Sequence, residues 1–492
     1  TFPLIHPKDA RPAFLSGRFH SPGLLLRGAF MNLLFKPWFL SVLLLAGGLN
    51  ASDAGSNRMA VLISVDGLAS DYLEDPQVDL PTLRQLARQG ASARRMDVCF
   101  PSVTWTSHTT LVTGAYPRKH GLISNTVLDR ETLKPIRYVG DPIFTKDEAV
   151  KAQTLYDAAH EAGLQTAAVI WPAVRGAKTL DWLTPDVNSE ELILQETTPE
   201  INRDLGPPYG NPVAAFAKWR WGVNPGPMRD WKYSELAAYL LTQKRPNLLL
   251  LHLVCPDAYQ HEYGPQSPEA YWSINYIDSR LNYLVEHVRR AGLLERTAFF
   301  VVSDHGFESV THQILPNLAL RRAGLAQFGE AGILPGSRAY SLSNGGSAAV
   351  YILDSEHKEA SIQRVRDVLS QVEGIKQILG PEDFHRLGLP TPEENPEQGD
   401  LMLIPEEHYA FSEKATGEAP VLVLDQTAGT HGYLPDHPRM GAIFVAWGHG
   451  IRPGVQLGTI QSVDVAPTIA RFLGIILKDA DGRILEEILN TN

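Results

Sequence analysis

Short apolar runs alternate with amphipathic stretches along most of the chain. The runs Met59–Val65, Gln165–Ile170, Asn247–Val254, Ala298–Val302, Ala348–Leu353 and Gly441–Trp447 are rich in Leu and β-branched residues, and several show no polar alternation. A strand covered on both faces reads this way. Between them the spacing predicts helices over Leu80–Gln89, Ala149–Ala162, Glu269–Ala291 and Val465–Leu473. Strands and helices in alternation imply an α/β fold, a doubly wound and mostly parallel sheet with helices on both faces.

Two stretches break the alternation. Thr184–Trp231 turns rich in Pro, Asn, Gly and Trp, and reads as a long insertion beside a functional site. Residues 354–426 open with the helical EHKEASIQRVRDVLSQV and continue through Pro-rich turns. They predict a small α+β cap inserted into a catalytic domain made of 55–353 and 427–492. With 492 residues and 44 % hydrophobic content, the chain has material for one large domain with such insertions, so disorder is not the default.

From Met31, Lys36 precedes an apolar run over Trp38–Ala46 and then small residues. Residues 31–54 therefore read as a signal peptide, too short for a spanning helix of about 20 residues, and predict an exported protein, periplasmic or secreted, with no membrane span after processing. Residues 1–30, basic and without an initiator Met, read as an over-early start or a leader. Residues 1–51 carry a formal +4, leaving the rest of the −11 chain near −15. That acidity argues against nonspecific binding to duplex nucleic acid or anionic membrane. It leaves room for an anionic substrate, because divalent cations reverse the local field. Cys99 and Cys255 are too distant for a metal motif and read as either a disulfide or two buried thiols.

Four clusters of metal-ligand residue types fall just past apolar runs, where such a sheet places its functional loops. AVLISVDG ends in Asp66 before Gly67; LLLLHLVCPDAYQHEYG supplies Asp257 and, one helical turn later, His261; AFFVVSDHGF supplies Asp304 and His305; TAGTHGY supplies His431. Each alone has a plain reading as a cap, turn or salt-bridged residue. Together they offer three Asp and three His, enough to divide between two zinc ions, with manganese or iron suited to similar ligands.

The stretch CFPSVTWTSHTTLVTG puts Thr104 before a predicted helix, where free backbone N–H groups favour an alkoxide or a phosphate. On chemistry alone Ser102, Thr106 and Ser107 compete with it. His108 reads as a packed helix residue or a support for a ligand, and His120 as a turn residue.

The ordered set VDG, FPSVTWTSHTTLVTG with AYPRKHG, WP, PDAYQHEYG, SDHGF and THGY resembles the nucleotide pyrophosphatase/phosphodiesterase family of the alkaline phosphatase superfamily, over about residues 59–475. The resemblance implies an alkaline-phosphatase-like fold and hydrolysis of phosphodiester or nucleotide pyrophosphate bonds on two Zn2+. One zinc would sit on Asp257, His261 and His431, the other on Asp66, Asp304, His305 and the Thr104 oxygen. Thr104 would attack phosphorus and form a phospho-threonine that water then hydrolyses. The family pattern T-F-P-N, whose Asn binds substrate phosphate, is here Thr104-Trp105-Thr106-Ser107, which leaves Ser107 as the donor. The family's WPG is here Trp171-Pro172-Ala173, and Trp171 is expected beside the substrate. Arg175 and Lys178 follow it, either as phosphate contacts that would favour a monoester or as solvated loop charges. A phosphomonoesterase is thus the second expectation, and a non-catalytic zinc-binding scaffold the third. The partner implied is a small phosphate ester, selected by the cap and by Trp219, Trp221 and Trp231; oligomeric state is left open.

Overall fold

The computed structural model describes residues 57–140, 144–205, 226–330 and 332–490. The leader, the signal peptide and Trp219 and Trp221 lie outside the described residues. The central sheet has eight strands: β1 (Met59–Val65), β2 (Ala91–Asp97), β3 (Thr166–Val169), β4 (Trp182–Thr184), β5 (Leu248–Leu253), β6 (Thr297–Val302), β7 (Phe444–Gly448) and β8 (Val455–Gln461). Their spatial order is β8-β2-β7-β6-β1-β5-β3-β4. β1 pairs in parallel with both β5 and β6, whereas β7 runs antiparallel to β6 and β2. The sheet is therefore mostly parallel, with one reversed strand.

Alternation of side chains explains why these strands read as unbroken apolar runs. Met59, Val61, Ile63 and Val65 enter one core, together with Leu83, Leu236, Ile274 and Leu281. Ala60 and Leu62 enter the other, with Leu111, Leu155, Val465 and Ile469. Both faces are covered, so neither can be polar. The helices concerned are α1 (Pro81–Gln89), α2 (Thr104–Thr113), α3 (Leu155–Glu161), α4 (Gly226–Tyr239), α5 (Cys255–Tyr263), α6 (Pro268–Arg290) and α7 (Val465–Leu473). On α6 alone Ile274, Ile277, Leu281, Leu284, Val285 and Val288 are buried, each contributing about 1.5–3 kcal/mol. Ser267 caps that helix, its side chain accepting from Ala270 N–H.

Three sequence expectations need correction. The helix expected over Ala149–Ala162 is two pieces, Lys146–Ala149 and α3, because Thr154 and Asp157 form a capping box that starts a new helix. The run Ala348–Leu353 is not in the central sheet. Its residues Ala348–Ile352 pair antiparallel with Ala339–Ser343 and Leu401–Pro405, in a four-stranded sheet completed by Ile375–Leu379. That sheet, packed by the helix Lys358–Leu369, draws two strands from before residue 354, since pairing partners need not respect a boundary read from composition. At the other end Val421–Thr430 pairs with Glu308–Ile314 and leads directly into His431.

Candidate metal centre

β1, β5 and β6 are neighbours, and the loops past their carboxyl ends converge. Asp66 follows β1 directly, Asp304 stands two residues past β6, and Asp257 lies in the first turn of α5, reached from β5. Asp257 and His261, four apart on α5, share a face. Their ligand atoms and that of His431 all lie within 4.8 Å of one another, as do those of Asp66, Asp257 and His305. Asp257 thus belongs to both groups. His305 Nε2 is 3.3 Å from Asp66 Oδ1 and 3.2 Å from Asp304 Oδ2, and its ring stacks on His431 at 3.7 Å.

The backbone makes this convergence sterically narrow. Gly67 adopts φ +73°, and a Cβ there would stand 2.5 Å from the Phe307 ring. At Gly306 the requirement is space: a Cβ would lie 1.9 Å from the Arg439 carbonyl oxygen. A side chain at Gly67 would push the Asp66 loop off Phe307, and one at Gly306 would push the His305 loop off the Arg439 backbone.

The three imidazoles share one orientation. Nδ1 of His261 faces the Gly429 carbonyl at 2.9 Å, that of His305 the Gly306 carbonyl at 3.1 Å, and that of His431 the Ser102 carbonyl at 3.0 Å. A carbonyl only accepts, so in each neutral ring the proton sits on Nδ1 and the Nε2 lone pair faces the centre; burial lowers His261 too, but Asp257 beside it outweighs that and raises it. Burial pushes His305 well below its ordinary range and His431 down to about 4, which keeps both neutral.

The carboxylates are half anchored. Asp304 Oδ1 accepts from Gly67 N–H and His305 N–H, both at 3.1 Å, and Asp66 Oδ2 is 2.9 Å from His252 Nε2. The remaining oxygens, Asp66 Oδ1 and Asp304 Oδ2, together with Asp257 Oδ1, are buried without a hydrogen-bond partner. Burial and the mutual repulsion of Asp66, Asp304 and Asp257 drive the first well above the carboxylate range; Asp304 is raised chiefly by burial too. Asp257 ends lowered, because His261 and His431 outweigh its burial. Three unpaired carboxylate oxygens facing three imidazole lone pairs form a donor set that a divalent cation fits, while bare burial of these charges is costly.

Of the four competing hydroxyls, the geometry separates one. Thr104 begins α2, and its Oγ1 lies 3.5 Å from His305 Nε2. Ser102 Oγ donates to the Tyr433 carbonyl at 2.9 Å and accepts from Gly432 N–H at 3.1 Å. Thr106 is fully buried.

Ser107, expected to contact substrate, is also fully buried, its Oγ 3.6 Å from Cys99 Sγ. Three residues along α2 from Thr104, it sits near the same face of a helix enclosed on all sides, and its hydroxyl is directed onto the Cys99 thiol. Trp171 is buried as well, edge-on to His108 at 4.8 Å. Arg175 forms an ion pair with Glu196 at 3.3 Å. Cys99 and Cys255 are separate buried thiols. His120 ends the one-turn helix Pro117–His120, buried beside Thr110 at 3.0 Å.

Two polar side chains passed over in the sequence join this arrangement. Asn125 Oδ1 accepts from Trp105 N–H at 2.9 Å, which fixes its carboxamide one residue from Thr104. His252 is the single polar residue inside the run LLLLHL, and that interruption was its only signal.

A family profile described as type I phosphodiesterase / nucleotide pyrophosphatase matches residues 60–434, from β1 to just past His431. The chain belongs to this family. Like the family's named enzymes it is a phosphoric ester hydrolase with phosphodiesterase/nucleotide pyrophosphatase activity. Human ectonucleotide pyrophosphatase/phosphodiesterase family member 7 is 25 % identical over 461 residues, covering 90 % of this chain and 86 % of the human protein. A venom phosphodiesterase of Crotalus durissus collilineatus is 23 % identical over 437 residues, covering 86 % of this chain and 45 % of the venom enzyme. Among solved structures, human ectonucleotide pyrophosphatase/phosphodiesterase 5 superposes with a TM-score of 0.65 at 21 % identity, over 88 % of this chain and 100 % of that one. The type I phosphodiesterase architecture, an alkaline-phosphatase-like α/β fold, is shared with it. An inactive threonine-to-alanine variant of the murine family member 5 has been solved in complex with AMP, at 19 % identity to this chain.

Proposed function

We propose that the chain hydrolyses phosphodiester or nucleotide pyrophosphate bonds on two zinc ions through a phospho-threonine at Thr104. The observation that carries this reading is the Thr104 hydroxyl at a helix N-terminus, 3.5 Å from His305 Nε2 and beside three unpaired carboxylate oxygens. Asp257, His261 and His431 would hold one ion; Asp66, Asp304, His305 and Thr104 the other. Such cations lower the pKa of a hydroxyl and neutralise phosphoryl oxygens.

The chain's own residues do the rest. Thr104 Oγ1 gives up its proton to solvent and bonds to phosphorus as the bond to the opposite, leaving oxygen breaks, that oxygen taking a proton from solvent; water later attacks the same phosphorus, and Oγ1 departs and regains a proton. The N-terminus of α2 favours the negative charge that develops there. Asn125, held by Trp105 N–H, offers its Nδ2 to a non-bridging oxygen, taking the task expected of Ser107. The inactive threonine-to-alanine relative solved with AMP supports both the threonine and a nucleotide ligand.

Charge favours the diester over the monoester. Three carboxylates against two dications leave a site near +1, matched to a phosphodiester monoanion. The cation expected to balance a dianionic monoester, Arg175, is matched by Glu196. Purified zinc-loaded protein should therefore turn over bis(p-nitrophenyl) phosphate faster than p-nitrophenyl phosphate; the reverse order sinks the diesterase reading. Retention of all six ligand side chains tells against an idle scaffold.

An exported enzyme fits the apolar run after Lys36 and the ecto- and venom designations of the relatives. Among the described residues no helix is long and apolar enough to cross a membrane. The sheet around Ala339–Pro405 would act as the cap that selects the ester.

A further inference from the structure

Beneath the centre lies a second layer of side chains that touch no substrate. His252 stands next to the carboxyl end of β5, fully buried, opposite Ser64 of β1. Its Nε2 is 2.9 Å from Asp66 Oδ2, its Nδ1 faces the Ile170 carbonyl at 3.3 Å, and its ring lies 4.2 Å from that of His108. His108 is itself tied to the Thr104 carbonyl at 2.8 Å and backed by Trp171. Apart from Asp66, the imidazole of His252 is thus packed between the Ile170 carbonyl and the His108 ring.

Asp304 takes its orientation from two backbone N–H groups, which no substitution of a neighbouring side chain would remove. Asp66 Oδ2 instead meets a side chain. A carboxylate with both oxygens free can rotate, or bind through either oxygen or both; anchoring one oxygen leaves a single ligand atom in a single direction.

We propose that His252 is a positioning residue of the metal centre, gripping Asp66 Oδ2 so that Oδ1 alone is presented to the cation shared with His305. The proposal rests on the two-cation reading. With a cation bound, Asp66 is ionised, and the neutral His252 ring carries its one proton on Nε2, where the partner is nearer (2.9 Å against 3.3 Å), and donates to the carboxylate, which leaves the Ile170 carbonyl a packing neighbour of Nδ1. Loss of that donor frees the carboxylate, and loss of such outer partners lowers metal affinity by about 10–100-fold.

Two amides of like polarity separate positioning from packing. In His252→Gln the amide nitrogen reaches about as far as Nε2; in His252→Asn it stops near the place of Nδ1, short of Asp66. Zinc stoichiometry and affinity, measured on the full chain by competition with a chromophoric chelator, should show His252→Gln within about threefold of wild type. His252→Asn should bind one of the two ions about 10–100-fold more weakly, and His252→Leu likewise. Thermal midpoints of the metal-free variants, matching between Gln and Asn, exclude a folding defect as the cause. Asn and Leu variants that bind as wild type does, or a Gln variant as weak as the Asn variant, overturn the role of His252. A wild-type protein that binds no zinc overturns the two-cation reading itself.

Discussion

Stripping the centre of cations should make stability fall as pH rises, in a window set by its carboxyls. Asp66 and Asp304 are raised above the ordinary carboxylate value of 3.8, both by burial first, Asp66 then by Asp304 and Asp257, and Asp304 then by Asp257. Near neutrality the metal-free fold thus keeps protons that the unfolded chain has released. Stability from such groups is complete below the unfolded value and lost as pH climbs through the folded one. Each pH unit over which one carboxyl differs in this way removes about 1.4 kcal/mol. Below about pH 6.5 the buried neutral imidazoles of His108, His252, His305 and His431, all lowered by burial, act with the opposite sign. The usable window is therefore about pH 7–8, where Asp304, raised to about 8, costs about 1 kcal/mol and Asp66 acts in the same direction. At about 2.1 cal/mol/K of unfolding entropy per residue, a unit of about four hundred residues shifts its midpoint by roughly 1 °C per kcal/mol. Metal-free protein should lose about 1–3 °C from pH 7 to 8. Zinc-loaded protein should hold or gain, since ligand binding releases the same protons, and a cation at 100 times its dissociation constant adds about 2.7 kcal/mol. Scanning both forms side by side cancels Asp230, raised to about 7, and the buried thiols. A metal-free midpoint that stays level or rises across this window, or falls in parallel with the zinc-loaded form, would refute the packed-carboxylate account.

Thr104→Ala should abolish turnover with zinc stoichiometry kept, whereas Ser102→Ala should leave turnover measurable and lower stability by about 1 kcal/mol through its lost bonds to Tyr433 and Gly432; equal turnover loss in both would reopen the choice of nucleophile. Asn125→Ala should reduce kcat on a diester by about 10²–10³-fold, the scale of losing one transition-state donor, and an unchanged kcat would remove Asn125 from the site. Ser107→Ala and Arg175→Ala should each leave kcat/KM for diester and monoester within a few-fold. The partly exposed Arg175–Glu196 pair is worth about 1 kcal/mol or less, and a selective fall in monoester turnover would restore Arg175 as a phosphate contact.

Much was legible in the chain because its signals are local. A strand covered on both faces must be apolar throughout, so β1, β5 and β6 announce themselves, and Asp66, Asp257 with His261, and Asp304 with His305 follow as strand-end polar residues. Helices α6 and α7 were readable to within a residue from their apolar period. The break before α3 was written in Thr154 and Asp157, but a short capping box is easily lost inside a longer amphipathic stretch.

What the sequence could not carry is direction and partnership. Whether a hydroxyl points at the cluster depends on packing around α2, which leaves Thr104 facing His305 and turns Ser107 onto Cys99. The charge of Arg175 belongs to Glu196, twenty-one residues away, and the donor beside Thr104 comes from Asn125 across a loop. Residue types and spacing determined which chemistry the chain could perform and which strands would hold it. Only the tertiary structure decided which atoms meet, because side-chain direction and long-range pairing are settled by packing that no local pattern encodes.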